Sequence, residues 1–186
     1  HKTEKLPEFM SSGRIPTWIS RIQTFMFSDG NEDSEKTYQI NQAKIAIAKG
    51  SWVGLGPGNS EARNFLPHPY SDFIFAIIIE EYGLVGGAFV LILYLLFFYR
   101  ALLIVKRTEK AFAAMITVGF AFSMVFQALI NMGVAVGVFP VTGQTLPLLS
   151  MGGSSIIFTS FAFGVILSVS NSIDNNEKSE DLSAIN

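Results

Sequence analysis

The chain has 186 residues, 49% of them hydrophobic and only 15% charged, and its mean hydropathy of +0.40 is too high for an ordinary soluble domain. A formal net charge of −2 speaks against a nucleic-acid partner, since such a surface repels phosphate. With no Cys, no disulfide framework is available, and that absence names no compartment.

Residues 1–71 read as a large external loop. The chain starts at His1 with neither Met nor a signal peptide, so the expectation is a fragment whose insertion signals lie upstream. Within the loop, Tyr38 to Leu55 has helical apolar spacing, a terminating Gly50, and Lys44 and Lys49 on its polar side. It is too short and too charged to span a bilayer and reads as an amphipathic helix near the outer membrane face. The glycine-rich run from Gly54 to Gly58 lacks the Gly-Lys-Ser/Thr ending and the preceding strand of a nucleotide-binding loop, so it reads as a tight turn. His1 and His68 are isolated in the sequence, and no metal can be identified from ligand spacing.

Residues 72–99 form the first predicted transmembrane helix. Ser71 or Asp72 suits its N-cap, where a side-chain oxygen accepts a free backbone N–H; the alternative is a functional carboxylate at the mouth of the helix. Glu80 and Glu81 follow about two turns deeper, where carboxylates are costly and serve as functional groups or buried partners. At 100° per residue Glu80 lies about 80° round from Asp72 and Glu81 nearly opposite, so only Glu80 is placed to share a cavity with Asp72. A buried network that holds the bundle together is the favoured role for the acidic pair.

Residues 100–110 carry Arg100, Lys106, Arg107 and Lys110 against Glu109 alone, which by the positive-inside rule makes this short loop cytoplasmic. Residues 111–131 form the second span, in which Gln127 and Asn131, four apart, share a face as interhelical glue. Residues 132–151 form an external loop rich in Gly and Pro for its hydrophobicity, a backbone that needs protein or a watery cavity to satisfy its polar groups. Residues 152–170 form the third span. It opens on Gly152, Gly153, Ser154 and Ser155, either an anion-binding helix N-terminus or a site of close helix packing. Residues 171–186 are polar and read as a disordered cytoplasmic tail.

Three blocks, YQINQAKIAIAKGSWVGLGPGNS, FLPHPYSDFIFAIIIEEYGLVGG and QALINMGVAVGVFPVTGQTLPLLSMGGSS, together resemble the last three spans and preceding external loop of the SEDS family (shape, elongation, division and sporulation). The similarity runs from about Arg14 to Asn171, and PVTG and GNS resemble the cell-division branch. The resemblance implies an all-α, polytopic transmembrane bundle of ten helices in the bacterial inner membrane, at the septum, of which these are helices eight to ten. It implies a glycosyltransferase that polymerises lipid II into peptidoglycan strands and releases undecaprenyl pyrophosphate, together with a class B penicillin-binding protein and other division proteins. The family's essential acidic residue falls on Asp72. His68 stands where the family commonly has Glu. Polymerisation needs a sugar hydroxyl to attack an anomeric carbon and displace a diphosphate; Asp72 is the candidate general base. Lys49, Arg63, Glu80, Gly152, Gly153, Ser154 and Ser155 are candidate substrate contacts, and a divalent cation is a further candidate for the departing diphosphate. A transporter of the lipid-linked precursor and a non-catalytic scaffold are the rival readings.

Overall fold

The computed structural model describes residues 35–62 and 71–185, and side chains for residues 38–62 and 71–173. The described residues form four helices: α1 (Glu35–Gly50), α2 (Ile74–Arg107), α3 (Ala111–Ala135) and α4 (Gly153–Ile185). Three contain segments long and apolar enough to cross a membrane: Ile74–Arg107, Ala111–Ala135 and Gly153–Ile173. They run alternately up and down, so Asp72 and the loop between α3 and α4 sit at one end of the bundle, and Arg107 and Lys110 at the other. Phe112, Phe158 and Ile157 are 77%, 74% and 69% exposed, as expected where lipid or further helices rather than water cover the outer faces.

The main core lies at the Asp72 end. Phe73, Phe75, Ala76 and Ile79 of the α2 region meet Ala128, Met132 and Ala135 of α3, Ala43 and Ala46 of α1, and Leu146 from the α3–α4 loop. Towards the Arg107 end a smaller cluster of Ala101, Ala121 and Ile166 is packed by Phe97, Phe98, Ile104 and Phe120, and Phe97 stacks on Phe163 with ring centroids 4.8 Å apart.

Helix α1 turns its small residues inward. Ala43, Ala46 and Gly50 are buried, and a Cβ on Gly50 would lie 2.0 Å from the Ile79 carbonyl oxygen, so only glycine allows this approach. The helix starts earlier than the apolar pattern from Tyr38 suggests and stops at Gly50; residues 51–55 leave it to make a turn.

That turn fills a break in α2. Gly83 has φ 73° and ψ −174°, outside helical space. A continuous helix would pair Leu84 N–H with the Glu80 carbonyl and Val85 N–H with that of Glu81. Instead Leu84 and Val85 donate to the carbonyls of Ser51 (2.9 Å) and Trp52 (3.5 Å), while Leu55 and Gly56 donate to those of Glu80 (2.9 Å) and Glu81 (3.0 Å). The two N–H groups and two carbonyls named here thus find partners in the turn, as buried backbone requires.

Three sequence boundaries shift. Helix α2 is 34 residues long, about 51 Å at 1.5 Å per residue, and runs through Arg100 to Arg107, so the predicted loop 100–110 shrinks to Thr108–Lys110. Helix α3 continues beyond residue 131 to Ala135 and ends in a Schellman motif: Gly137 is left-handed at φ 80°, Val138 N–H reaches Gly133 O at 2.8 Å and Gly137 N–H reaches Val134 O at 3.0 Å. The tail expected to be disordered is instead helical to Ile185. Extending an existing helix needs no new nucleus, and Asn171 to Ile185 contains no Gly or Pro to stop it.

Candidate functional site

Asp72 is not the helix cap. The N-cap is Phe73, which makes no side-chain cap hydrogen bond, and the first turn closes from Ala76 and Ile77 N–H to the Phe73 carbonyl at 3.0 and 3.3 Å. The Asp72 carboxylate, half-buried, accepts a 2.7 Å bond from Ser71 Oγ on Oδ1. Its Oδ2 faces Gly143, where an added Cβ would stand 3.6 Å away.

The α3–α4 loop is fastened beside Asp72 by side chains that meet its carbonyls. Asn131 Nδ2 donates to Asp72 O at 2.9 Å and to Gln144 O at 2.6 Å, and Gln127 Nε2 donates to Thr145 O at 2.9 Å. Tyr94 Oη donates to Pro147 O. Ser150 Oγ donates to Ser71 O at 2.6 Å and accepts from Leu146 N–H at 2.6 Å. Gln127 and Asn131 therefore do share a face, but they bind loop backbone rather than another helix, which answers the need of irregular backbone at this depth. Asn131 Oδ1 is buried without a partner among the described residues, because both carbonyls require its NH2 group.

Beyond Gly143 opens a cleft of about 480 Å³ lined by residues that include Gln127, Gly143, Thr145, Gly152, Ser154 and Ser155. It lies at the start of α4, where the N–H groups of Gly153, Ser154 and Ser155 have no acceptor within the helix. Thr145 Oγ1 donates to Ser155 Oγ at 2.9 Å. Gly143 thus links the two features: it faces Asp72 and lines the cleft with Gly152, Ser154 and Ser155. The two glycines differ: a Cβ on Gly152 would meet Thr145 Cγ2 at 3.2 Å, whereas one on Gly153 meets nothing within 4 Å. Gly152→Val is therefore expected to distort the cleft and lower activity at least about tenfold, a displacement effect of the kind small misplacements produce. Gly153→Ala should leave both fold and activity near wild type; paired turnover and melting measurements check the contrast.

Glu80 is placed elsewhere. It is 0% exposed and accepts from Ser60 Oγ, from Glu61 N–H at 3.2 Å and from Ala62 N–H at 3.3 Å. Its oxygens clasp the loop after α1, in line with the network role and away from Asp72. Glu80→Ala leaves those donors buried without an acceptor, a cost of about 2–4 kcal/mol in total. Thermal unfolding in detergent should show that loss; an unchanged melt would contradict the clasp.

Lys49 pairs with Glu61. The hydrogen bond between them raises the Lys49 pKa and lowers that of Glu61, so both stay charged at neutral pH. Both are exposed, and such pairs contribute little to stability. Arg63 and His68 lie outside the described residues. Ser71 was read from sequence only as a possible helix cap, and Tyr94, Gly143, Thr145 and Ser150 were not singled out; Tyr94 and Ser150 act by donating to the distant carbonyls of Pro147 and Ser71, which any residue type presents.

Three helices long and apolar enough to span a membrane, with a Gly/Pro-rich loop bonded to them, define a polytopic membrane protein. The chain belongs to the FtsW/RodA/SpoVE family, whose model, described as "Cell cycle protein", matches residues 9–175, in agreement with the SEDS resemblance. It is 46% identical over 136 residues to "Probable peptidoglycan glycosyltransferase FtsW" of Nitrosococcus halophilus, covering 71% of this chain and 35% of that protein. It is 38% identical over 156 residues to "Stage V sporulation protein E" of Bacillus subtilis, covering 83% and 42%. A solved structure described as "Structural coordination of polymerization and crosslinking by a peptidoglycan synthase complex" matches with TM-score 0.63 and 29% identity, over 84% of this chain and 42% of that one. The chain thus spans well under half the length of these relatives.

Proposed function

We propose that the protein polymerises lipid II into the glycan strands of peptidoglycan in the bacterial inner membrane at the division septum, releasing undecaprenyl pyrophosphate. The names of the relatives support the activity. The observation that carries the assignment to this site is the Asp72 carboxylate, free of any capping duty, bonded to Ser71 Oγ and facing Gly143, which itself lines the cleft.

In this reading Asp72 takes the proton of the attacking sugar hydroxyl as the new glycosidic bond forms at the anomeric carbon. The bond from that carbon to the diphosphate breaks, and its electron pair leaves with the diphosphate. The Ser154 and Ser155 hydroxyls and the free N–H groups at the start of α4 face the departing negative charge. Among the described residues no three His, Cys, Asp or Glu side chains cluster. A divalent cation arriving with the diphosphate would supply charge neutralisation at the leaving group, and no step is routed through one. A class B penicillin-binding protein and other division proteins are the partners, a proposal supported by the peptidoglycan synthase complex of the matching structure.

The Asp72 end faces outward and the Arg107 end faces the cytoplasm, on the charge asymmetry of α2 and its connection to α3. Cys at the exposed Asn59 should react with an impermeant thiol reagent in spheroplasts, and Cys at Lys106 should resist; the reverse pattern inverts the topology. The function is tested by supplying lipid II to the full-length protein in liposomes. Glycan polymer supports the enzyme, movement of intact lipid without polymer supports a transporter, and neither supports a scaffold. Of the two carboxylates that a translocation path would draw on, Glu80 and Glu81, Glu80 is bonded to the loop after α1.

A further inference from the structure

At the end of the bundle remote from Asp72, α2 and α4 enclose a second cleft, of about 290 Å³, lined by Arg100, Leu103, Ile104 and Arg107 of α2 and Ser170 and Ile173 of α4. Arg100 and Arg107, seven residues apart, lie on one helical face, about 10 Å apart along the axis. Among the described residues neither guanidinium has an ion-pair or hydrogen-bond partner; the ion pair found there joins Lys49 to Glu61. Lys106 and Lys110, equally basic and nearby in sequence, do not line the cleft. A topological signal needs only positive charge at this end of the helix. It does not need two of the four cations turned into one cleft beside a hydroxyl.

We propose that this cleft binds the phosphodiester headgroup of an anionic glycerophospholipid from the adjoining leaflet. Two guanidiniums match phosphate oxygens through forked donors, and Ser170 adds a hydroxyl. Leu103, Ile104 and Ile173 give the cleft an apolar wall on which the first acyl carbons rest, which is why a lipid rather than a free phosphate is the occupant. Arg100, the deeper cation, reaches towards the headgroup level with its aliphatic stem in the apolar region. Basic pockets between membrane helices at this level take anionic headgroups for the same reasons. The proposal rests on the geometry of this end and is independent of the polymerase reading.

The test uses the full-length protein in neutral detergent, titrated with phosphatidylglycerol, phosphatidylcholine or inorganic phosphate and read by native mass spectrometry. One phosphatidylglycerol should bind saturably and in preference to phosphatidylcholine. Arg100→Gln with Arg107→Gln should weaken it roughly 20- to 30-fold, at about fivefold per basic residue. Lys106→Gln with Lys110→Gln, removing the same charge from outside the cleft, should weaken binding clearly less than the arginine pair does. Should the glutamine pair fail to fold, Arg100→Lys with Arg107→Lys keeps both charges and should still bind several-fold more weakly, through loss of the forked contacts. Four results would overturn the proposal. They are equal losses in the two charge-removing pairs, equal binding of phosphatidylcholine, inorganic phosphate binding as tightly as the lipid, and unchanged affinity in the cleft variants.

Discussion

Asp72→Asn is expected to lower glycan polymerisation by about 100-fold or more, the range supplied by a positioned general base, while leaving membrane level and melting temperature unchanged. The separation of the two readouts follows from the geometry. Because Phe73 rather than Asp72 occupies the N-cap and no side chain caps the helix, replacing the carboxylate does not remove a bond that starts α2. The Asp72 carbonyl, which Asn131 holds at 2.9 Å, is backbone and survives any substitution. An amide keeps the size of the side chain and can still accept from Ser71 Oγ, but it cannot take up the proton of an attacking hydroxyl. The loss should therefore appear in kcat more than in KM. Asp72→Ala should match the Asn variant in activity and, unlike an N-cap deletion, cost little stability. Near-normal polymerisation by a well-folded Asn variant would remove Asp72 from the chemistry.

The sequence carries the parts of this site that depend on local pattern. The three spans are legible because lipid exposure demands long uncharged runs. Gln127 and Asn131 are legible as a pair because spacing of four fixes a common face. The acceptors they meet, the carbonyls of Thr145, Gln144 and Asp72, are not legible, since any residue type presents the same carbonyl. Asp72 stands out by type and place, yet sequence alone leaves its capping and functional roles open; the choice turns on whether α2 begins at residue 73 or 74. Glu80 is legible as a costly buried acid, but its partners come from a loop some twenty residues earlier. The tail was misjudged because polarity argues against packing and says little about whether a helix already formed continues.

The break at Gly83 was the feature least visible beforehand and predicts the largest loss of stability. A lone glycine in an apolar helix ordinarily costs only about 1 kcal/mol relative to alanine, so nothing in the sequence marks Gly83 as a crossing point. In the structure its φ is 73°, and an added Cβ would stand 2.3 Å from the Trp52 carbonyl oxygen and 2.5 Å from its carbon. These atoms are backbone and cannot rotate aside. Gly54 is held in the same way from the other side, with a Cβ 2.2 Å from the Glu81 carbonyl oxygen. Gly83→Val should push the 51–56 turn out of α2, breaking the exchanged hydrogen bonds at about 1 kcal/mol each and adding about 1–2 kcal/mol of left-handed strain. The expected total is roughly 4–6 kcal/mol. Limited proteolysis should then cut within residues 51–56, where wild type resists. Gly119→Ala supplies the control: Gly119 sits in α3 with nothing within 4 Å of an added Cβ, and this substitution should be neutral or stabilising by up to about 1 kcal/mol. A Gly83→Val protein that melts with wild type and resists the protease would show that the turn does not complete α2.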